Sequence, residues 1–390
     1  MEKEYDGIII GAGHNGMICA GYLAKAGLKL LIVERHLEIG GGLDSHEGAR
    51  SGFWHNVHSC LHRGVSDLMW YKDLELAKMG QEYIRLPISI AVLTRDHRAI
   101  VWHNEPEKTA ASIGRFSAKD GKAFLKVNKE FAKLSSEIHF QEQYAPPVPF
   151  EKKKAILQKS ESGRLYLKWQ PYSINEVFAQ LFENDTVRGA FTFMSVIRGF
   201  ETDSKGMGHI AVAALGSGAQ PQVPRGSTHK MAHTLHKMVV KNGVDVVEAE
   251  AVAKILVENG RAVGLRTIDG REFRARRFVA SSLNPNQTFL DLVGKEKLAS
   301  DFVKKVEGFK YSNTTPLFTL HLALNERMNW KAADYDPDVD RAYYISCGLE
   351  GLRDVEELYQ DCAARRIPRS LQLLGAQAAQ HDPLQAPPGK

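Results

Sequence analysis

Apolar residues along this chain fall into three kinds of pattern, each predicting a different element. The short unbroken runs YDGIII (5–10) and LKLLIVE (28–34) have the length and branched-residue content of strands buried on both faces. Between them, HNGMICAGYLAKA (14–26) reads as a helix that opens on a glycine turn and closes before Gly27. Farther on, AVAKILVENGRAVGLRTIDGREFRARRFVAS (251–281) alternates apolar and polar residues around Asn259-Gly260 and Asp269-Gly270, which predicts a three-stranded antiparallel meander. A helix at about 227–241 leads through Gly243 into the apolar strand VDVV (244–247). Four segments, 5–10, 28–34, 244–248 and 277–281, are candidates for one parallel sheet. Among the remaining residues, 118–142 reads as an amphipathic helix, APPVPF (145–150) as a break, and 174–199 as two short helices around Asn184-Asp185. PLFTLHLAL (316–324) and RAYYIS (341–346) read as strands.

The first strand ends in GAGHNG (11–16), and the spacing gives each glycine a separate task. Gly11 permits the tight turn, Gly13 lets the backbone approach a pyrophosphate, and Gly16 lets the helix pack close to the strand, with the helix N-terminal amides facing negative charge. Glu34 closes the second strand, where a carboxylate accepts hydrogen bonds from ribose hydroxyls and repels a 2′-phosphate. NAD and FAD both satisfy this pattern. Gly40, Gly41 and Gly42 follow at once, and a second glycine-rich approach suits the longer, deeper cofactor.

GAGHNG, YLAKAGLKLLIVER (22–35), the pair Gly40-Gly41 with Ser45 after it, and the segment 259–294 together resemble the FAD-dependent phytoene desaturase and carotenoid oxidoreductase superfamily. Within it the chain is most similar to the branch typified by pyridine nucleotide-disulfide oxidoreductase domain-containing protein 2, in weaker form over the whole chain. The resemblance implies an α/β fold: a glutathione-reductase-like, Rossmann-type FAD-binding domain, discontinuous over 1–75 and 225–285, with a mixed α/β substrate domain from 76–224 and 286–390. It places Gly11, Ala12, Gly13, His14, Asn15, Gly16, Glu34, Arg35, Gly40, Gly41, Ser45 and Val252 on FAD. It implies hydride transfer between the flavin and an apolar small-molecule substrate of polyene or isoprenoid type, with a flavin amine oxidase as the nearest alternative chemistry. Family members continue past QAAQHDPLQAPPGK (377–390) into a glycine-rich strand and helix that complete the flavin site. A chain ending here is therefore expected to be a truncated member, or a non-catalytic partner-binding relic, that holds flavin poorly and has low solubility.

Composition narrows the alternatives. The 390 residues are 43% apolar and 25% charged, with no run long enough to span a bilayer and no cleavable leader pattern, so a cytoplasmic location is the expectation. The net charge of +5 is spread over short clusters such as Lys152-Lys153-Lys154; they suit solvated faces or attraction to an anionic membrane surface, and no motif for nucleic acid accompanies them. Cys19, Cys60, Cys347 and Cys362 have neither CxxC nor zinc spacing. His55, His58 and His62 stand at i, i+3 and i+7, which would align them on a helix, yet no acid supports a metal site, and a polar loop wrapping the flavin is the preferred reading. His229, His233 and His236 share a face of the 227–241 helix and read as an ordinary helix surface. No catalytic triad, carboxylate pair or HExxH stands out. That absence suits a flavoenzyme, whose cofactor carries the redox chemistry.

Overall fold

A computed structural model of the chain describes residues 4–216, 220–309 and 318–390. The strands in chain order begin with β1 (Glu4–Ile10), β2 (Leu30–Val33), β3 (Ser45–His46), β4 (His55–Asn56), β5 (His62–Arg63) and β6 (Tyr83–Arg85). There follow β7 (Ile88–Leu93), β8 (Ala99–His103), β9 (Pro221–Pro224), β10 (Asp245–Val247), β11 (Val252–Glu258), β12 (Arg261–Thr267) and β13 (Glu272–Ser281). Two more, β14 (Tyr344–Cys347) and β15 (Leu373–Ala376), close the series. Four helices matter most here: α1 (His14–Lys25), α2 (Ala118–Leu134), α3 (Asp185–Val196) and α4 (Thr228–Lys241).

The first sheet has the order β10-β2-β1-β13-β12-β11, with β10, β2, β1 and β13 mutually parallel and β13, β12 and β11 antiparallel. All four parallel segments expected from the sequence are present, and so is the meander. The two share a strand, because β13 pairs with β12 at Glu272–Arg274 and with β1 from Arg274 to Ser281. The isoleucine and leucine runs of β1 and β2 form strands because both faces are covered. Ile9, Leu30 and Ile32 pack with Met17 of α1 and Met231, Leu235 and Met238 of α4, while Ile8, Ile10, Leu31 and Val33 pack with Ile255, Leu265 and Ala275 of the meander side. Each such side chain is worth about 1.5–3 kcal/mol when fully buried, so the register of β1 against β2 is strongly determined.

A second sheet, β15-β14-β7-β8, has its own core. Ile90, Val92 and Ile100 on one face meet a helical layer containing Phe124, Phe131, Trp169, Phe178 and Phe191, and Ala91, Ala99 and Val101 on the other meet Ala332, Val339 and Ala342. The 118–142 helix is continuous apart from a π-helical turn at Ser135–His139. The 174–199 segment divides as expected into Ile174–Leu181 and α3, the first capped reciprocally by Ser173 and Glu176, the second by Asn184. A small sheet, β5-β9-β6, lies between the two larger ones in chain connectivity.

One expectation is corrected. Of the strand expected over 316–324, residues 316 and 317 lie outside the described residues, and 318–324 form no ladder; Phe318 and Leu320 are 93% and 70% exposed, since an alternating pattern makes a strand only where a neighbour pairs with it. The 377–390 segment forms a short helix (Ala378–His381) and a 3-10 turn (Pro383–Gln385), with Asp382 and Gln385 buried. The second part of 341–346 does form β14.

Candidate functional site: a glycine turn at the ends of four parallel strands

The parallel strands end together at Ile10, Val33, Val247 and Ser281, and in open α/β sheets ligands bind outside that edge. Gly11 turns the chain there with φ +95°, and its N–H donates to Val33 O at 2.8 Å. A Cβ at Gly11 would lie 2.4 Å from Ser282 Oγ, which itself donates to Ile10 O at 3.0 Å. A Cβ at Gly16 would lie 2.3 Å from Gly11 O, so α1 can seat against β1 only without one. Protein packing thus explains two of the three glycines. Gly13 is different: within 4 Å its Cβ would meet nothing but Gly41 Cα, at 3.9 Å. Its backbone is extended, and as the N-cap of α1 it offers no side chain to the first-turn amides, where no acidic residue stands either. The result is an uncapped helix N-terminus beside open space, which favours an anion.

The second glycine turn lies alongside. Gly13 and Gly40 form a parallel bridge, Gly40 N donates to Ala12 O at 2.9 Å, and both Gly40 and Gly41 have positive φ. A Cβ on Gly40 would strike Ala232 of α4 at 2.6 Å, whereas one on Gly41 would approach only Gly13 Cα, at 3.2 Å.

Glu34 is 8% exposed and stitches the turn together: Ala12 N donates to Oε2 at 2.8 Å and His36 N to Oε1 at 2.9 Å. A carboxylate oxygen has two lone pairs, so each can accept once more. The backbone of Glu34 is held between Val247 O and Glu250 N, and Val252 follows two residues beyond Glu250, at the start of β11. Arg35 is exposed and its Nε donates to His36 Nε2 at 3.1 Å; among the described residues its side chain makes no hydrogen bond to the glycine turns. Asn15 is exposed on the first turn of α1, and His14 is half-buried, with burial lowering its pKa and Nδ1 lacking a partner. The structure thus gathers Gly11, Ala12, Gly13, His14, Asn15, Gly16, Glu34, Gly40 and Gly41 at one place.

Ser45 faces inward. Its hydroxyl donates to Asn56 Oδ1 at 2.8 Å, lies 2.8 Å from Thr228 Oγ1, and accepts from His229 N at 3.2 Å. Asn56 Oδ1 also accepts from Thr228 N, Asn56 Nδ2 donates to Gln385 Oε1, and Gln385 Nε2 donates to Asp382 Oδ2, which accepts from Gly226 N. This buried chain ties the segment after the glycines to the start of α4 and to residues 382–385. Sequence reading did not single out Asn56, Thr228 or Ser282; for Ser282 the available signal was its place one residue past a parallel strand.

The helical-face alignment of His55, His58 and His62 does not occur. His55 and His62 occupy separate short strands because each pairs with a distant segment, β3 and β9 respectively. His62 is buried, contacts Tyr83 Oη through Nδ1 at 2.8 Å, and is pushed down to about 4 by burial, with His14 opposing its charge as well. Among the described residues, Nε2 of His55 and of His62 have no hydrogen-bond partner. Among the described residues no group of three or more His, Cys, Asp and Glu is arranged to hold a metal ion, and no helix is long and apolar enough to cross a membrane.

Comparison with known proteins agrees with this geometry. The sequence model of the Thi4 family matches residues 2–49, the span of the two glycine turns. One of the subunits of limonene dehydrogenase from Castellaniella defragrans is 28% identical over 92% of this chain. Pyridine nucleotide-disulfide oxidoreductase domain-containing protein 2 of Rattus norvegicus is 26% identical over 90%. The chain spans 66% and 65% of these two relatives' lengths. In fold it resembles an oxidoreductase from Methanosarcina mazei, with TM-score 0.58 and 17% identity, over 100% of this chain and 77% of that one. In sequence the chain is thus similar to these two relatives, and in fold to a solved oxidoreductase.

Proposed function

We propose that this chain binds FAD through the Gly11–Gly16 turn, Glu34 and the Gly40-Gly41 turn, and belongs to an oxidoreductase that moves hydride between the flavin and an apolar substrate. The observation that carries the reading is Gly13. It is the one glycine of the motif that protein packing does not require, and the space its missing side chain leaves adjoins uncapped helix amides. The amides of the first turn of α1 hold the pyrophosphate, and Glu34 accepts from the adenosine ribose with the lone pairs that Ala12 and His36 leave free. Gly40 and Gly41 let a second stretch of backbone approach the same ligand. When bound, the flavin accepts or returns a hydride; the protein's part is to fix geometry and exclude water. The neutral, buried His62 and half-buried His14 are suited to that role, since neither brings a charge, or the water that a charge holds, to the turn. The similarity to part of a limonene dehydrogenase supports an apolar, terpene-like substrate class. Calorimetric titration of the purified protein with FAD and with NAD tests the cofactor: FAD is expected to bind, and binding of NAD with no binding of FAD would overturn the reading.

A further inference from the structure

The long helix that begins at Ala118 ends at Glu142, and the next begins at Phe150. From 140 to 152 thirteen consecutive residues are exposed, and eight of them are apolar, with Phe140, Tyr144, Val148 and Phe150 the large ones. A wet connection of that composition is unusual, because contiguous apolar surface is normally covered. The loop is held closed at its base. Lys153 Nζ lies 2.7 Å from Glu142 Oε1 and donates to Tyr166 Oη at 3.0 Å, which ties both limbs to a buried ring. Phe140 and Tyr144 meet edge to face, with centroids 5.7 Å apart. Pro146, Pro147 and Pro149 fix φ and withhold three backbone donors, so the tip can neither extend the helix nor pair in a sheet. Its apolar side chains are thus presented outward on a stiff support.

The flank of this tip is basic. Lys152, Lys154 and Lys159 are exposed and have no ion pair or side-chain hydrogen bond among the described residues. By contrast, Lys119, Lys133 and Lys205 are paired with Glu183, Glu161 and Glu176. Over 143–159 Glu151 is the sole acid against four lysines. Ile156, 60% exposed, stands one helical turn from Lys152 and extends the apolar surface along the basic helix. Water suits the lysines and not the aromatic tip. An anionic bilayer suits both: aromatic and aliphatic side chains enter the boundary between headgroups and acyl chains, while lysines reach back to the phosphates. A second copy fits less well, since a two-fold contact through this tip would set the unpaired lysines of one copy against those of the other.

We propose that the 140–159 loop and helix dock the protein on the surface of an anionic phospholipid bilayer, with Tyr144, Val148 and Phe150 entering the interface and Lys152, Lys154 and Lys159 meeting the headgroups. The inference goes beyond the cofactor reading and needs no bound flavin.

The test is density-gradient flotation of the purified chain with vesicles of phosphatidylcholine alone and of phosphatidylcholine and phosphatidylglycerol in equal parts; flotation separates bound protein from any aggregate. Binding to the anionic vesicles is expected to be at least about tenfold stronger, and to weaken with added salt. Lys152→Gln/Lys154→Gln should lower it by about tenfold or more, and Tyr144→Ser/Val148→Ser/Phe150→Ser should abolish it. All five side chains are exposed, so thermal midpoints should match wild type. As a readout free of any stability effect, a tryptophan at the tip (Val148→Trp) should shift its emission to the blue on anionic vesicles. No binding to either vesicle, equal binding to both, or full binding by the triple variant overturns the proposal. So does a concentration-dependent dimer that the triple variant abolishes while no vesicle is bound, which would give the tip to a second copy.

Discussion

At the scale of single residues, the three glycines of GAGHNG make separable demands. Gly16→Val drives a side chain into Gly11 O and should lower stability by about 1–3 kcal/mol or more, read as a reduced denaturation midpoint. At Gly13→Val the added Cβ would meet only Gly41 Cα, at 3.9 Å, so its midpoint should hold while FAD affinity falls by at least about tenfold. A Gly13→Val protein that unfolds like Gly16→Val would show that packing, and not a ligand, selects this glycine. Glu34 has two tasks, and its variants should show both. Glu34→Ala removes the acceptor for Ala12 N and His36 N and should cost about 1.5–3 kcal/mol of stability per charge-assisted bond, along with at least about tenfold in FAD affinity. Glu34→Gln keeps one oxygen and should fall between. Sequence spacing put Glu34 at the end of the second strand, where the structure also has it, but did not show its hold on Ala12 and His36. That role depends on a turn geometry that becomes visible only once Gly11 and Glu34 are set side by side by strand pairing.

At the scale of elements, those that carry their own local signal were legible. The run–turn–run of β1, α1 and β2 and the Asn-Gly and Asp-Gly turns of the meander are specified by neighbouring residues, and the chain forms them where the pattern says. The hairpin of β7 and β8 was not read. Its turn uses Thr94, Asp96 and a left-handed His97 (φ +64°), without the usual glycine. The sheet β5-β9-β6 escaped because two-residue strands have no periodicity and β9 is bounded by Pro221 and Pro224. That sheet nonetheless buries His62, and a pH dependence follows. The ordinary value of 6.5 falls to about 4 in the folded protein, so below pH 6.5 the unfolded chain binds a proton that the folded chain refuses. Stability should hold above pH 6.5 and decline between 6.5 and 4, by about 2 kcal/mol at pH 5 from this residue. Denaturant midpoints of wild type and His62→Gln at pH 7 and pH 5 check this; an equal decline in both would remove His62 as the cause. Asn56→Ala should remove one of the ties between residues 382–385 and the start of α4, leaving the Gly226–Asp382 bond, at a cost of about 1–3 kcal/mol for the buried groups left unpaired.

At the scale of the whole molecule, the parallel sheet gathers four strand ends, two glycine turns, one carboxylate and one helix N-terminus on a single edge. That arrangement draws on segments at the start of the chain and after residue 240, and a sequence pattern alone cannot show that distant runs pair. What made it legible was that β1 and β2 are apolar enough to require burial on both faces, while the apolar residues of β10 and β13 pack against the same two clusters in one parallel sheet. We propose this edge as the FAD site. The most direct measurement is a paired titration of wild type and Gly13→Val with FAD by calorimetry at matched stability. Wild type is expected to bind FAD saturably, and the variant at least about tenfold more weakly. Equal affinity of the two proteins for FAD, or no binding by either while NAD binds wild type, would contradict it.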